Sequence, residues 1–425
     1  MNTGQATQQT SDAPKKLTLK GMPVDPNLRI LGAATLVNTF GSGALVTTFA
    51  LFFTRMVGLR PTQVALALSA GALAGLLVQV PAGHLADVRG PRRVLQALTF
   101  GAGIALLGLL FARSVWALVA VMAVFALFDR GGQAVRNGYV ARLAEGGQGV
   151  KFKAYLRAVT NVGISLGALS GGLALLVDQS WAYLAVFALD AATCMVTSLW
   201  FGRLPHIPPA PPRRSGEPRI AVLHDLPFVV ITVLSGVTAM HFVVMELALP
   251  LWIVQDTSAP KPLVAIILMI NTICVALFQV RLTRNIDLVG PSSRAMARAG
   301  FWIAGGFALI AFASGQPTWL AITLLCAGAF VHVVGEMIGS GGQWGVQMGL
   351  APRERQGQYQ GFAGVGFSLS QMVAPTLIIL LCIEWGRPGW FVMGGLIALA
   401  SVLMVPASNW ALRSREHYGV LTHSG

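Results

Sequence analysis

Polar and charged residues divide the chain into twelve apolar runs between Leu28 and Ala407. They span Leu28 to Thr54, Thr62 to Leu85, Val94 to Ala112, Val115 to Val135, Ala158 to Val177, Ala182 to Phe201, His224 to Val254, Leu263 to Leu282, Ala299 to Ala313, Trp319 to Ser340, Gly361 to Cys382, and Trp390 to Ala407. Crossing a hydrocarbon core takes about 20 mostly apolar residues, and the runs approach that length, the ninth being short and the seventh long. Aliphatic residues and glycine fill each run without the two-residue alternation of a membrane barrel, so the runs predict helices. The expected fold is an all-α membrane protein with twelve transmembrane helices.

The polar connectors orient the bundle. With a cytoplasmic N-terminus, that side carries 24 Lys and Arg and the other side five, namely Arg55, Arg60, Arg113, Lys261 and Arg387. Basic residues favour the inner side of a membrane, so both termini are expected in the cytoplasm, with the chain a multi-pass protein of the cell membrane. The longest internal connector, residues 203–223, holds Pro-His-Ile-Pro-Pro-Ala-Pro-Pro-Arg-Arg and reads as a semi-rigid basic linker. It separates two halves, residues 28–202 and 224–407, flanked by polar tails at 1–27 and 408–425. The halves repeat. A shift of 200 residues places Gln79, Val80, Asp87, Gly90 and Pro91 on Gln279, Val280, Asp287, Gly290 and Pro291, and a shift of 207 places Asp129 on Glu336. Two pseudo-symmetric six-helix halves are expected, the arrangement that alternating-access transporters use with binding near the midplane.

Composition agrees: 55% hydrophobic and 11% charged residues, with a mean hydropathy of +0.67, depart from soluble averages of about 45–50% and about 25%. A net charge of +14 would point to nucleic acid in a soluble protein; here the basic residues sit in short connectors and set orientation, so no nucleic-acid partner is expected. Cys194, Cys274, Cys326 and Cys382 lie in separate apolar runs with no CxxC pair, which implies packing rather than a disulfide or metal site. Residues 1–27 lack the apolar core and cleavage site of a signal peptide, so the first run is expected to be retained. Neither a P-loop, a zinc signature nor a GxSxG elbow is present, which argues against ATP-driven pumping and against a membrane-embedded hydrolase; no enzyme activity and no cofactor are expected.

Between the second and third runs stands Gly83-His-Leu-Ala-Asp87-Val-Arg-Gly90-Pro-Arg92-Arg93. Orientation alone would need the arginines but neither the acid nor the spaced glycines. The stretch resembles the loop between the second and third helices of the major facilitator superfamily, with Gly83, Asp87, Gly90, Arg92 and Arg93 in the motif positions. The resemblance extends over essentially the whole chain and implies the duplicated twelve-helix fold, with Asp87 helping to latch the halves on the cytoplasmic side. The fourth run carries Leu127-Phe-Asp129-Arg130-Gly-Gly-Gln133-Ala134, similar to a second pattern of proton-coupled members, with Ala134 replacing a glycine. The fifth carries Gly163, Gly167, Gly171 and Gly172 in a pattern that resembles the antiporter motif, with Ala168 where that motif has proline. Small residues at these spacings also serve close helix packing, and both readings stay open.

Ionisable groups at membrane depth are costly and usually meet a partner or a water-filled cavity. Asp129, Gln133 and Arg136 share a helical stripe. His332 and Glu336 lie four residues apart, about 40° around a helix, and read as a pair; His241 and Glu246 are five apart, about 140°. Taken alone, His241 reads more as a packing residue. Asn38, Asn161 and Asn271 either line a cavity or bridge helices, and Asp190 has no evident partner. The candidate coupling or substrate residues are therefore Asp129, Arg130, His332, Glu336, Glu246, His241, Asn38 and Asn271. With the resemblance, they imply a monomeric proton-coupled antiporter in the lipid bilayer exporting a small amphipathic molecule. An uptake permease or uniporter is the first alternative, and a non-transporting scaffold or sensor the second.

Overall fold

The computed structural model of the chain describes residues 18–19, 22–144, 148–211, 220–284 and 286–418. Most of the N-terminal tail, Arg213, Arg214 and Arg219 of the linker, and the last seven residues lie outside the described residues. Twelve helices long and apolar enough to cross a membrane are present among them: α1 (Pro26–Met56), α2 (Pro61–Arg89), α3 (Pro91–Leu110), α4 (Val115–Leu143), α5 (Gly149–Val177), α6 (Ser180–Phe201), α7 (Leu226–Asp256), α8 (Leu263–Leu282), α9 (Val289–Phe312), α10 (Thr318–Leu350), α11 (Arg353–Glu384) and α12 (Arg387–Arg413). A two-residue antiparallel ladder, Thr18–Leu19 against Met22–Pro23, precedes α1.

Local chemistry sets the ends. Ser114 and Asp225 cap α4 and α7, accepting from the Ala117 and Phe228 amides at 3.3 and 3.1 Å. Proline occupies the first turn of α2 and α3, and Gly90, at φ 90°, makes the single-residue break between them that a side chain would strain. The segment Gly83 to Arg93 is thus almost wholly helical rather than a connector, and Asp87 lies in the last turn of α2. The same correction applies to Arg136, Arg142, Lys151, Lys153 and Arg157, which belong to α4 and α5. Helical hydrogen bonding continues past the apolar run because long charged side chains keep good helix propensity and find polar partners at the bundle's end.

Helix pairing repeats between the halves. α1 packs on α5 and α6, α2 on α4, and α3 on α4 and α6; shifted by six, α7 packs on α11 and α12, α8 on α10, and α9 on α10 and α12. Between halves, α2 and α4 meet α11, while α8 and α10 meet α5, as a pseudo-twofold axis requires. Each half keeps its own apolar core. One cluster joins Phe49, Phe52, Phe53, Tyr183 and Phe187 in the first half, and another joins Trp252, Phe307, Trp390 and Met393 in the second. The fifth-helix glycines serve the first of these packings: a Cβ on Gly163 or Gly167 would strike Thr39 or the Phe40 carbonyl of α1, and one on Gly171 would lie 2.8 Å from the Ala44 carbonyl. Gly172 faces open space.

Candidate functional site

At mid-depth of the second half, four helices converge on Glu336. The acid is 3% exposed and sits on α10, eighteen residues beyond Thr318. Its Oε1 accepts from Arg157 of α5 at 2.5 Å and its Oε2 from Asn271 of α8 at 2.9 Å. The guanidinium of Arg157 also lies over the Phe242 ring of α7, 5.0 Å from its centroid. One turn back on α10, the buried His332 ring shares a 3.1 Å hydrogen bond between its Nε2 and Nδ1 of His241, and stacks on Phe307. His241, His332 and Glu336 bring one ligand-capable atom each to within 4.8 Å of one another.

These contacts revise the expected pairing. His332 and Glu336 share a helix face, but each bonds across the bundle, His332 to His241 and Glu336 to Arg157. Side chains four apart on one helix run parallel, whereas facing helices can supply collinear donors. His241 is a member of the cluster rather than an isolated packing residue. Glu246 lies in a π-helical stretch, Val244–Ala248, where the ideal α-helical angle does not apply; its side chain is exposed and has no hydrogen-bond partner among the described residues. Arg157 was legible only as a charge at the edge of an apolar run.

The first half carries a second polar centre. Gln133 donates to Asp129 at 2.8 Å, and Arg130 lies 3.9 Å from the same carboxylate. Asp190 is 1% exposed on α6 and takes a 3.4 Å contact from Thr193. Asn38 bridges α1 to α6 by accepting from Cys194 at 3.3 Å. Asp129 and Glu336 occupy equivalent positions on α4 and α10, but only Glu336 bonds to the other half.

Nearer the end where α1 starts and α12 stops, the terminus end, the halves are joined again. Asp87, 4% exposed, accepts from the backbone amides of Gly357 and Gln358 in the first turns of α11, both at 2.9 Å. A carboxylate is well placed at a helix N-terminus, where free amides and the helix dipole favour negative charge. Gly83, Gly138 and Gly357 allow that approach, since a Cβ on Gly83 would strike the Gly357 carbonyl. Lys151 pairs with Asp287 at 3.2 Å, Lys153 donates to Gln360 at 3.3 Å, and Gln79 donates to Ser368 at 3.0 Å. Arg92 donates to the Leu204 carbonyl of the linker, and Arg93 is exposed. The described hydrogen bonds and ion pairs between halves therefore run from mid-depth to the terminus end.

A duplicated twelve-helix bundle with buried charges at mid-depth, joined by polar contacts between its halves, is the architecture of a secondary transporter. The family model of the Major Facilitator Superfamily matches residues 31–342, and the chain belongs to that superfamily: it is a membrane transporter and not an enzyme. Its fold is similar to a bacterial homologue of the iron transporter ferroportin in an outward-facing state (TM-score 0.71, 15% identity, covering 90% of this chain and 99% of that one). It is also similar to the human organic anion transporter MFSD10 (TETRAN), with TM-score 0.65 and 14% identity over 89% of this chain and 100% of that one. The proton:xylose symporter XylE aligns with TM-score 0.63 and 15% identity over 89% of this chain and 94% of that one. No curated protein sequence matches the chain.

Proposed function

We propose that the chain is a proton-coupled antiporter that exports a small amphipathic molecule by alternating access, with Glu336 as the proton site and Arg157 as its counter-ion. The observation that carries this reading is the pair of the half-buried Arg157 with the buried Glu336, which joins α5 of one half to α10 of the other. Opening the terminus end must part these helices. Parting them with Glu336 ionised leaves its carboxylate without the cation, a loss of about 1.5–3 kcal/mol for a hydrogen bond that involves charge. A proton on Glu336 removes that charge, so proton loading and opening of the terminus end favour one another. His332 and His241 provide a hydrogen-bonded path beside the acid. The adjoining Phe242 and Phe367 rings offer an apolar wall next to a cation, which suits an amphipathic substrate. The fifth-helix resemblance supports export, and the basic asymmetry supports a cytoplasmic position for the terminus end.

The test is purified protein in proteoliposomes with an imposed pH gradient, screened against lipophilic cations, antibiotics and sugars. Glu336→Gln should abolish gradient-driven transport while retaining exchange of substrate down its own gradient. Unchanged pH dependence in Glu336→Gln would move the proton to Asp129 or Glu246, or leave a uniporter.

A further inference from the structure

Along α9 one stripe faces away from the protein. The helix buries Ala295, Met296, Ala299, Ile303 and Phe307 against α10 and α12, leaving Arg294, Arg298, Phe301 and Trp302 exposed at helical spacing. Arg294 and Arg298, with Pro291 and Ala297, line an open groove of about 520 Å³. Arg281 and Arg284, at the end of α8, add two further exposed guanidiniums at the same end of the bundle. None of the four arginines has an ion-pair partner among the described residues, and the nearby acid Asp287 is taken by Lys151.

Depth makes the arrangement unusual. The uncharged part of α9, Ala299 to Phe312, spans 14 residues, about 21 Å at 1.5 Å per residue, shorter than a hydrocarbon core of about 30 Å. The mismatch leaves Arg298 at the level where acyl chains meet headgroups, unless the bilayer thins or an anion is drawn to it. Guanidiniums form forked hydrogen bonds with phosphate, and an exposed Phe and Trp one turn further along suit the acyl-chain boundary. The equivalent surface of α3 differs, since at the 200-residue offset Val94 and Leu98 stand where Arg294 and Arg298 do.

We propose that the groove on α9 binds the headgroup of an anionic phospholipid, with Arg294 and Arg298 on the phosphate and Phe301 and Trp302 along its acyl chains. The lipid fits through charge complementarity and depth, and the site is independent of the transported substrate.

The test is lipid retention by native mass spectrometry and thermal stability in detergent, with phosphatidylglycerol, phosphatidylcholine or inorganic phosphate added. Phosphatidylglycerol should bind and stabilise the parent more than phosphatidylcholine does. The double variant Arg294→Gln, Arg298→Gln should lose about thirtyfold in affinity, roughly fivefold for each surface charge removed. The corresponding double lysine variant should recover part of that affinity, and Arg60→Gln at the opposite end should behave as the parent. Equal effects of the two lipids, or undiminished phosphatidylglycerol binding by the glutamine variant, would overturn the proposal. Stabilisation by inorganic phosphate alone would assign the groove to a free anion and overturn the lipid assignment.

Discussion

Replacing Asp87 by asparagine tests the contact between the halves with almost no change of shape. The carboxylate accepts two amides, from Gly357 and Gln358, each at 2.9 Å. An asparagine side chain has one acceptor oxygen, so one buried amide loses its partner and faces an NH2 group. An unsatisfied buried donor costs about 1–3 kcal/mol, and losing a negative charge at a helix N-terminus costs about 0.3–1 kcal/mol. The state in which α2 meets α11 should therefore lose about 1.3–4 kcal/mol relative to a state in which these helices part and water solvates both groups. That is a population shift of roughly tenfold to a thousandfold. Spin labels on cysteines replacing Arg203 and Arg413, at the terminus ends of α6 and α12, would report it as growth of a longer distance. Gly83→Ala should shift the distribution the same way while keeping the charge, because its Cβ meets the Gly357 carbonyl. Parent-like distance distributions and transport in both variants would refute the reasoning.

Further outcomes follow from other contacts. Arg157→Gln leaves Glu336 buried without its cation and should lower the melting temperature more than the double variant Arg157→Gln, Glu336→Gln, which removes both charges; a double variant less stable than Arg157→Gln would contradict the pairing. Gly167→Ala should destabilise by about 1–3 kcal/mol through overpacking, whereas Gly172→Ala should stay within about 0.5 kcal/mol, as read by thermal unfolding. Asp225 lies just outside α7, and burial raises its carboxyl above the usual carboxylate range despite hydrogen bonds from the Phe228 amide and Tyr359 hydroxyl and the charge of Arg415. Its ionisation therefore costs the folded state near neutrality, and that cost is relieved as pH falls through the raised value: the parent's melting temperature should rise relative to Asp225→Asn on acidification toward pH of about 4. Single cysteines replacing Ser11, Ser258 and Ser414 in a cysteine-free background should differ in intact cells, with only position 258 reacting with an impermeant maleimide.

The helices and their duplication were legible because lipid imposes apolar length and the repeat preserves residues at a fixed offset. The acids and histidines at mid-depth were legible for the complementary reason, that a charge in an apolar run is conspicuous. Arg157 was not. It stands one residue before an apolar run, where a one-dimensional pattern attributes basic charge to orientation; its partner lies 179 residues away and becomes evident only when α5 packs beside α10. Asp87 was picked out by its motif, but its acceptors' partners were hidden, because backbone amides at the start of α11 carry no side-chain signature. Spacing alone pairs His332 with Glu336 on its own helix; the fold keeps the two in one cluster and adds His241 from α7 as the hydrogen-bond partner of His332.

The division of labour among contacts explains how such a molecule can change shape without unfolding. The large buried aromatic and aliphatic clusters belong to one half or the other. Close packing of that kind does not deform continuously, and separating it would expose apolar surface at about 25 cal/mol per Å². Beside the packing of Val80 and the close glycine approaches of α2 and α4 to α11, the halves meet through contacts of another type: Asp87 on two amides, Lys151 on Asp287, Lys153 on Gln360, and Arg157 on Glu336. Each of these polar groups can exchange its protein partner for water or for a ligand at a net cost near that of an ordinary hydrogen bond, about 0.5–1.5 kcal/mol, or about 1.5–3 kcal/mol where charge is involved. Two rigid bodies joined by exchangeable polar contacts move as units, and the Arg157 to Glu336 ion pair, whose carboxylate is 3% exposed, is the one whose release a proton on the acid eases. Coupling in the proposed cycle accordingly belongs at that pair, while the contacts at the terminus end set how far the equilibrium leans.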